Sequence, residues 1–147
     1  MFKIDETKAT GKLTVEIKDK DGKVKDSREL TNLVVSDGLD FIASRMKDAT
    51  ASVMSHMAIG TGNTAAASGD SSLGTEAARQ GLTSTTVNNN AVSYVASFAA
   101  GTGTGAITEA GVLNAASGGT LLCRTVFSVV NKGASDSMTI TWTITIS

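Results

Sequence analysis

Proline is absent from this chain and cysteine occurs once. A single thiol excludes an internal disulfide and a cysteine-built zinc cluster. Cys123 lies in the apolar run Leu121-Leu122-Cys123, where it reads as a small buried hydrophobe. Without proline, the turns fall to the 15 glycines and to Asn and Asp. No apolar run approaches 18 residues, which leaves no candidate membrane helix. The charged N-terminus lacks the apolar core of a signal peptide, so synthesis and folding in a cytoplasm are expected. Charge is scarce over most of the length. Of the 27 charged side chains, 20 fall within residues 1–50. The other seven are Asp70, Glu76, Arg79, Glu109, Arg124, Lys132 and Asp136. A free monomeric domain carries mixed charge to stay unassociated. A strand-rich, nearly neutral surface suits one that copies of itself or a partner cover.

What is present fits one domain of 147 residues with a real core. Net charge is −1, so no basic footprint for nucleic acid exists. Residues 1–11 read as a polar arm. Residues 12–35 read as a charged β-hairpin: Leu13, Val15 and Ile17 alternate with Thr14, Glu16 and Lys18, and Gly22 supplies the turn. Ser36 or Asp37 can cap a helix over about 37–48, with Leu39, Ile42, Ala43 and Met46 as its apolar stripe. Residues 53–147 form a low-charge β-rich body. Its strands are predicted at 53–60, 82–87, 91–98, 106–114, 120–130 and 138–146. Residues 61–74 are a surface loop, and 75–80 a helical turn. Asn88-Asn89-Asn90 is a three-residue hairpin loop. In the last strand Met138, Ile140, Trp142, Ile144 and Ile146 alternate with four threonines, giving one core face and one threonine ladder. About eight strands and one helix predict a mainly-β fold, an antiparallel sandwich or open barrel with the helix filling one side.

Few residues offer chemistry. Gly101-Thr-Gly-Thr-Gly105 lacks the Lys and Ser/Thr of a phosphate loop and no helix follows it, so it reads as a connector. Gly60-Thr-Gly62 reads the same way. His56 is the sole histidine, and no nucleophile elbow accompanies it. No spacing of His56 with carboxylates supports a metal site. Asp19-Lys-Asp-Gly22 is a hairpin turn; a calcium loop would need a Glu at its twelfth position. Glu109 and Arg124 stand out as charges inside apolar strands. Such charges are partnered when buried, and Glu109 has Arg124 or Arg79 to pair with. Glu76 and Arg79, three apart, suit a local helical pair. No catalytic residue, metal or cofactor is expected.

Three segments carry a resemblance. They are Thr31-Asn-Leu-Val-Val-Ser-Asp-Gly-Leu-Asp-Phe-Ile-Ala-Ser-Arg45; then Met57-Ala-Ile-Gly-Thr-Gly62 with Leu73-Gly-Thr-Glu-Ala-Ala-Arg79; and Gly105-Ala-Ile-Thr-Glu-Ala-Gly-Val-Leu-Asn114 with Gly119-Thr-Leu-Leu-Cys-Arg-Thr-Val-Phe127, Asn131-Lys-Gly133 and the terminal strand. In this order they resemble tailed-bacteriophage virion proteins, above all tail-collar fibre domains. Small capsid decoration (cement) proteins look similar. The resemblance covers roughly residues 28–147. It implies a non-enzymatic structural protein of the virion, made in the host bacterial cytoplasm. The implied partners are itself, as a trimer or dimer, and other virion proteins of the tail, collar or capsid. It implies neither nucleic acid nor membrane as a partner. Glu76, Arg79 and Glu109 match its recurring charged positions and would tie loop to sheet. With Arg124 and Trp142 they are the structural or interface candidates. The chain lacks the long shaft of a fibre, which favours a short collar accessory or a capsid decoration protein. A carbohydrate-binding module or adhesin is the rival reading, and would need Trp142 and Tyr94 exposed on a common face. An enzyme would need His56, Glu109 or Asp136 in one cleft.

Overall fold

Nine strands and one helix make up the computed structural model, which describes residues 7–147, and the strands Ala9–Lys18, Ala91–Phe98 and Ser137–Ile146 show the clearest period-two alternation. The elements are β1 (Ala9–Lys18), β2 (Val24–Val34), α1 (Ser36–Lys47), β3 (His56–Gly60) and β4 (Glu76–Gly81). There follow β5 (Ser84–Asn88), β6 (Ala91–Phe98), β7 (Gly105–Leu113), β8 (Leu121–Lys132) and β9 (Ser137–Ile146). They form one antiparallel sheet in the order β4-β3-β7-β8-β2-β1-β9-β6-β5. The architecture is mainly β with one helix, as expected of a sandwich or open barrel, and takes the form of a single curled antiparallel sheet, a half-barrel. The two outermost strands, β4 and β5, are consecutive in sequence and separated only by Leu82 and Thr83. Such a short link forces the sheet to curl until its edges meet at that corner.

The curl encloses the core. Leu13, Val15 and Ile17 of β1, Tyr94, Ala96 and Phe98 of β6, and Met138, Ile140, Trp142 and Ile144 of β9 all point inward. From the other half come Met57, Ile59, Ile107, Ala110, Val112 and Phe127. The halves join narrowly: β2 pairs with β8 only through Leu33–Arg124 and Val34–Cys123. Above that junction β8 bulges opposite Thr108, where its register with β7 shifts. Arg28 fills the breach, donating to the carbonyls of Ser128 (2.6 Å) and Val129 (2.8 Å), and Asp26 orients it. The bulge thus keeps its carbonyls satisfied.

Several local expectations differ from the structure. Of the predicted polar arm, residues 1–6 lie outside the described residues. Ala9, Thr10 and Gly11 already belong to β1, because Ile146, Thr145 and Ile144 of β9 offer them partners. Residues 76–81 form a strand and not a helical turn, raising the count to nine. The Asn hairpin turns on two residues, since Asn88 pairs with Ala91. Asn89 takes the left-handed conformation there, with φ 54°. The helix has Val35 as its N-cap and no side-chain cap.

The helix packs on a different face from the predicted stripe. Gly38 is buried, and a Cβ there would collide with the Leu122 carbonyl oxygen. That close approach turns Phe41 and Ile42 onto the core and leaves Leu39 and Met46 48% and 85% exposed. The stripe Leu39-Ile42-Ala43-Met46 is thus mostly an outer face.

Candidate functional site: a buried ion pair beneath the 61–75 segment

Strand β3 presents Ala58 and Gly60 on the face away from the core, and Gly62 follows beyond its end. Small residues there leave a shallow trough on the outside of the sheet. The segment 61–75 lies in that trough, and Leu73 closes over Val35, Ala58, Leu113 and Leu121 as a second small core. Gly111 widens the trough on β7: a Cβ there would stand 2.7 Å from Leu73 Cδ1. The predicted surface loop is indeed a loop exposed at most of its positions, and Leu73 is the one residue of it that is buried, anchoring it over the sheet.

Glu109 and Arg124 hold the loop down. Glu109 of β7 lies opposite Gly60 of β3, and Arg124 of β8 lies opposite Gly111 of β7, so the two side chains meet on the diagonal of one sheet face. Glu109 is fully buried and Arg124 is 2% exposed. Arg124 donates to Glu109 Oε1 from Nη2 (3.0 Å) and Nε (3.2 Å). The same oxygen accepts the Gly74 amide at 2.7 Å. Oε2 accepts the amides of Gly62 (2.6 Å) and Thr75 (2.7 Å). Both ends of the segment are thus tied to one carboxylate. Arg124 reaches its middle, donating to Asp70 Oδ2 (2.8 Å) and the Thr64 carbonyl (3.0 Å). Thr108 adds a bond to the Gly62 carbonyl at 2.7 Å.

The electrostatics follow from this shell. Burial pushes the Glu109 pKa up. The amides of Thr75, Gly74 and Gly62 and the Arg124 guanidinium outweigh that and hold it below the ordinary carboxylate value. The Ala67 amide lowers Asp70, Arg124 adds to this, and desolvation opposes both. Every bonding direction of Glu109 is taken up by the protein. Its geometry is that of a fastener, and the choice between Arg124 and Arg79 as its partner goes to Arg124.

Glu76 and Arg79 pair with each other, as expected, but on a strand. Gly60 pairs with Glu76 and Ile59 with Ala78, leaving Ala77 as a bulged residue. One extra residue brings positions three apart to the same face. Arg79 donates to Glu76 at 3.0 and 2.7 Å and to the carbonyls of Ala115 and Gly118 at 2.9 Å each. It therefore ties down the 114–120 turn, and the 61–75 segment is left to Glu109.

A second buried charge cluster closes the opposite part of β8. Lys132, 1% exposed, donates to the carbonyls of Ala99 (2.9 Å) and Asp136 (2.8 Å). Desolvation lowers its pKa, against the pull of Asp136. The Asp136 carboxylate accepts Lys25 Nζ (2.7 Å) and the Gly133 amide (2.8 Å), which hold its pKa down. Lys132 ends β8 and Asp136 lies in the turn before β9, at the two ends of the turn expected over 132–137. Their signal was the same as for Glu109, an isolated charge in a neutral stretch.

His56 accepts or donates to Ser55 Oγ at 2.8 Å through Nδ1. It pairs with Leu113 at one end of β3, whereas Glu109 pairs at the other. Four residues of strand separate the two ends by about 13 Å, and Asp136 belongs to the Lys132 cluster. These three residues do not share a cleft. Trp142 is fully buried and Tyr94 is 8% exposed, so neither offers an outer face. Burial pushes the Tyr94 pKa up to about 12 and raises that of the buried Cys123 thiol. Among the described residues no group of three or more His, Cys, Asp or Glu could hold a metal ion, and no helix is long and apolar enough to cross a membrane.

No protein-family model, curated protein or solved structure matches this chain.

Proposed function

We propose that this chain is a non-enzymatic structural component of a tailed-phage virion, a tail or collar accessory that self-associates and docks on a symmetric assembly. One observation carries the reading. All seven charges of residues 51–147 are consumed inside the protomer. Glu109, Arg124, Lys132 and Asp136 are buried, Asp70 is bound to Arg124, and Glu76 to Arg79. Apart from the paired Glu76 on the β4 edge and part of Asp70, the outer surface of the body is left to Thr, Ser, Asn, Ala and exposed apolar side chains such as Val53, Val87 and Val129. Such a surface gives little electrostatic protection against its own copies. Weak contacts repeated over a symmetric particle gain strength from multivalency. The charged hairpin of β1 and β2, with pairs such as Lys12–Glu29 on its face, supplies the solvated side. The order of segments that resembles collar domains adds to the reading. The oligomer is closed and cyclic, a trimer or a dimer.

The test is the solution mass by light scattering, alone and with purified phage tails or capsids. A stable oligomer that binds tails saturably is the expected result. Saturable binding to capsids alone would move the protein to the head as a decoration protein. A monomer that binds neither overturns the reading.

A further inference from the structure

Two edges bound the curled sheet, and they are built differently. The β4 edge carries Glu76 and Arg79, the kind of charge that discourages strand addition. The β5 edge carries none. Its residues, Ser84-Thr85-Thr86-Val87-Asn88, are all exposed, and among the described residues no strand pairs on its outer side. Alternate residues of an antiparallel strand direct their N–H and C=O groups to opposite sides. Half of the β5 backbone groups consequently face away from β6. The strand carries no proline or charge, and among the described residues no helix covers its outer side.

Beside this edge the barrel is open. A groove of about 450 Å³ lies between β5 and α1, with mainly apolar walls. Thr85 and Val87 form its β5 wall, and Phe41 and Val53 stand on the helix side. Val87 and Val53 remain 69% and 58% exposed at its mouth.

From this edge and groove we infer that β5 is the self-association surface, pairing antiparallel with β5 of a second copy about a two-fold axis at Thr86. The inference rests on the self-association reading above and names its surface. The strand is compatible with its own reverse. With the axis at Thr86, Thr85 stands opposite Val87 of the partner subunit and Ser84 opposite Asn88 of the partner subunit. No like charges meet, and a β-branched pair lies on the groove side of each strand. The pairing satisfies the outward backbone groups and carries each sheet into the next. A five-residue ladder is small against the roughly 1,200 Å² of a stable interface. The exposed apolar mouth formed by Val87 and Val53 supplies further area to be covered. A second copy fits this edge better than a charged partner, because the strand offers backbone and β-branched surface but no side-chain charge.

Two variants test the register. In Thr86→Cys the new thiols face each other across the axis. The Cα separation of a non-hydrogen-bonded antiparallel pair, about 4.5 Å, lies within disulfide reach. Mild oxidation is expected to convert most of this variant to a covalent dimer, while a Val24→Cys control on β2 stays uncrosslinked. Cys123 is buried and does not compete. In Thr86→Lys two ammonium groups would meet at the axis. Its solution mass is expected to fall to that of the protomer, with circular dichroism and melting unchanged, and its dimer dissociation constant to rise at least tenfold. If the wild type is oligomeric but Thr86→Cys fails to crosslink or Thr86→Lys keeps the full mass, the β5 interface is overturned and the self-association reading stands. If the wild type is monomeric at every concentration, both are overturned.

Discussion

Glu109 and Arg124 meet on the diagonal between β7 and β8, 3.0 Å apart and shielded from solvent. They fasten a segment that neither belongs to. Removing one partner leaves a buried charge uncompensated, which costs about 3–5 kcal/mol. Glu109→Gln is expected to lose stability toward the lower end of that range, since Arg124 loses its buried counter-charge and keeps the partly exposed Asp70 and the Thr64 carbonyl. The double variant Glu109→Gln, Arg124→Met should lose less than the sum of the two single changes. Urea denaturation of the four proteins measures the coupling; strict additivity would deny that the pair acts as a unit.

Gly62 should tolerate no side chain. A Cβ there would collide with Glu109 Oε2, the oxygen that accepts the Gly62 amide. Gly62→Ala is expected to cost roughly 2–3 kcal/mol through lost bonds to a buried carboxylate. It should also raise hydrogen exchange across 61–75 while leaving β1 and β9 protected. Gly69, with open space around it, is the control and should accept alanine freely.

Acid should loosen the same segment first. The Glu109 and Asp70 pKa values are both held below their ordinary values. A carboxylate depressed in the folded state contributes stability that is complete above its unfolded pKa, about 4. That contribution disappears as pH falls through the lower folded value. The protection factors of the 61–75 amides, corrected for the intrinsic pH dependence of exchange, should be flat from pH 7 to about 5 and fall below about 4. The onset should shift in Glu109→Gln, where one of the two groups no longer titrates.

The helix offers a direct contest between periodicity and docking. Met46→Lys and Leu39→Gln are expected to change stability by no more than about 0.5 kcal/mol, as exposed substitutions do. Phe41→Ala, which removes a side chain packed on the core, should cost on the order of 2–3 kcal/mol, somewhat less than a fully buried phenylalanine. A large loss at Met46 would restore the stripe expected from helical spacing.

That contest shows where local pattern misleads. A stripe at i, i+3, i+4 and i+7 identifies a helix well, but Leu39 and Met46 carry no information about where the sheet will stand. Gly38 decided it, by allowing the helix backbone to touch Leu122. Glu76 and Arg79 mislead in a similar way. Spacing of three puts residues on one face of a helix, and a bulge at Ala77 does the same in a strand. The composition of 61–75 pointed correctly to an exposed loop, but not to its anchorage, which Leu73 and the glycines of the trough provide.

The sequence by itself determined the strand faces. The alternation from Met138 to Ile146, and that of Leu13, Val15 and Ile17, needs no knowledge of neighbours, because a strand repeats every two residues. It also determined that Glu109 and Arg124 require partners, since an isolated charge in an apolar strand is costly. Only the tertiary structure decided which partners. Gly60, Glu109, Gly111 and Arg124 come together through the register of three strands, and Asp70 through the path of the loop. Register depends on long-range pairing and on bulges, whose energies are shared among residues far apart in the chain.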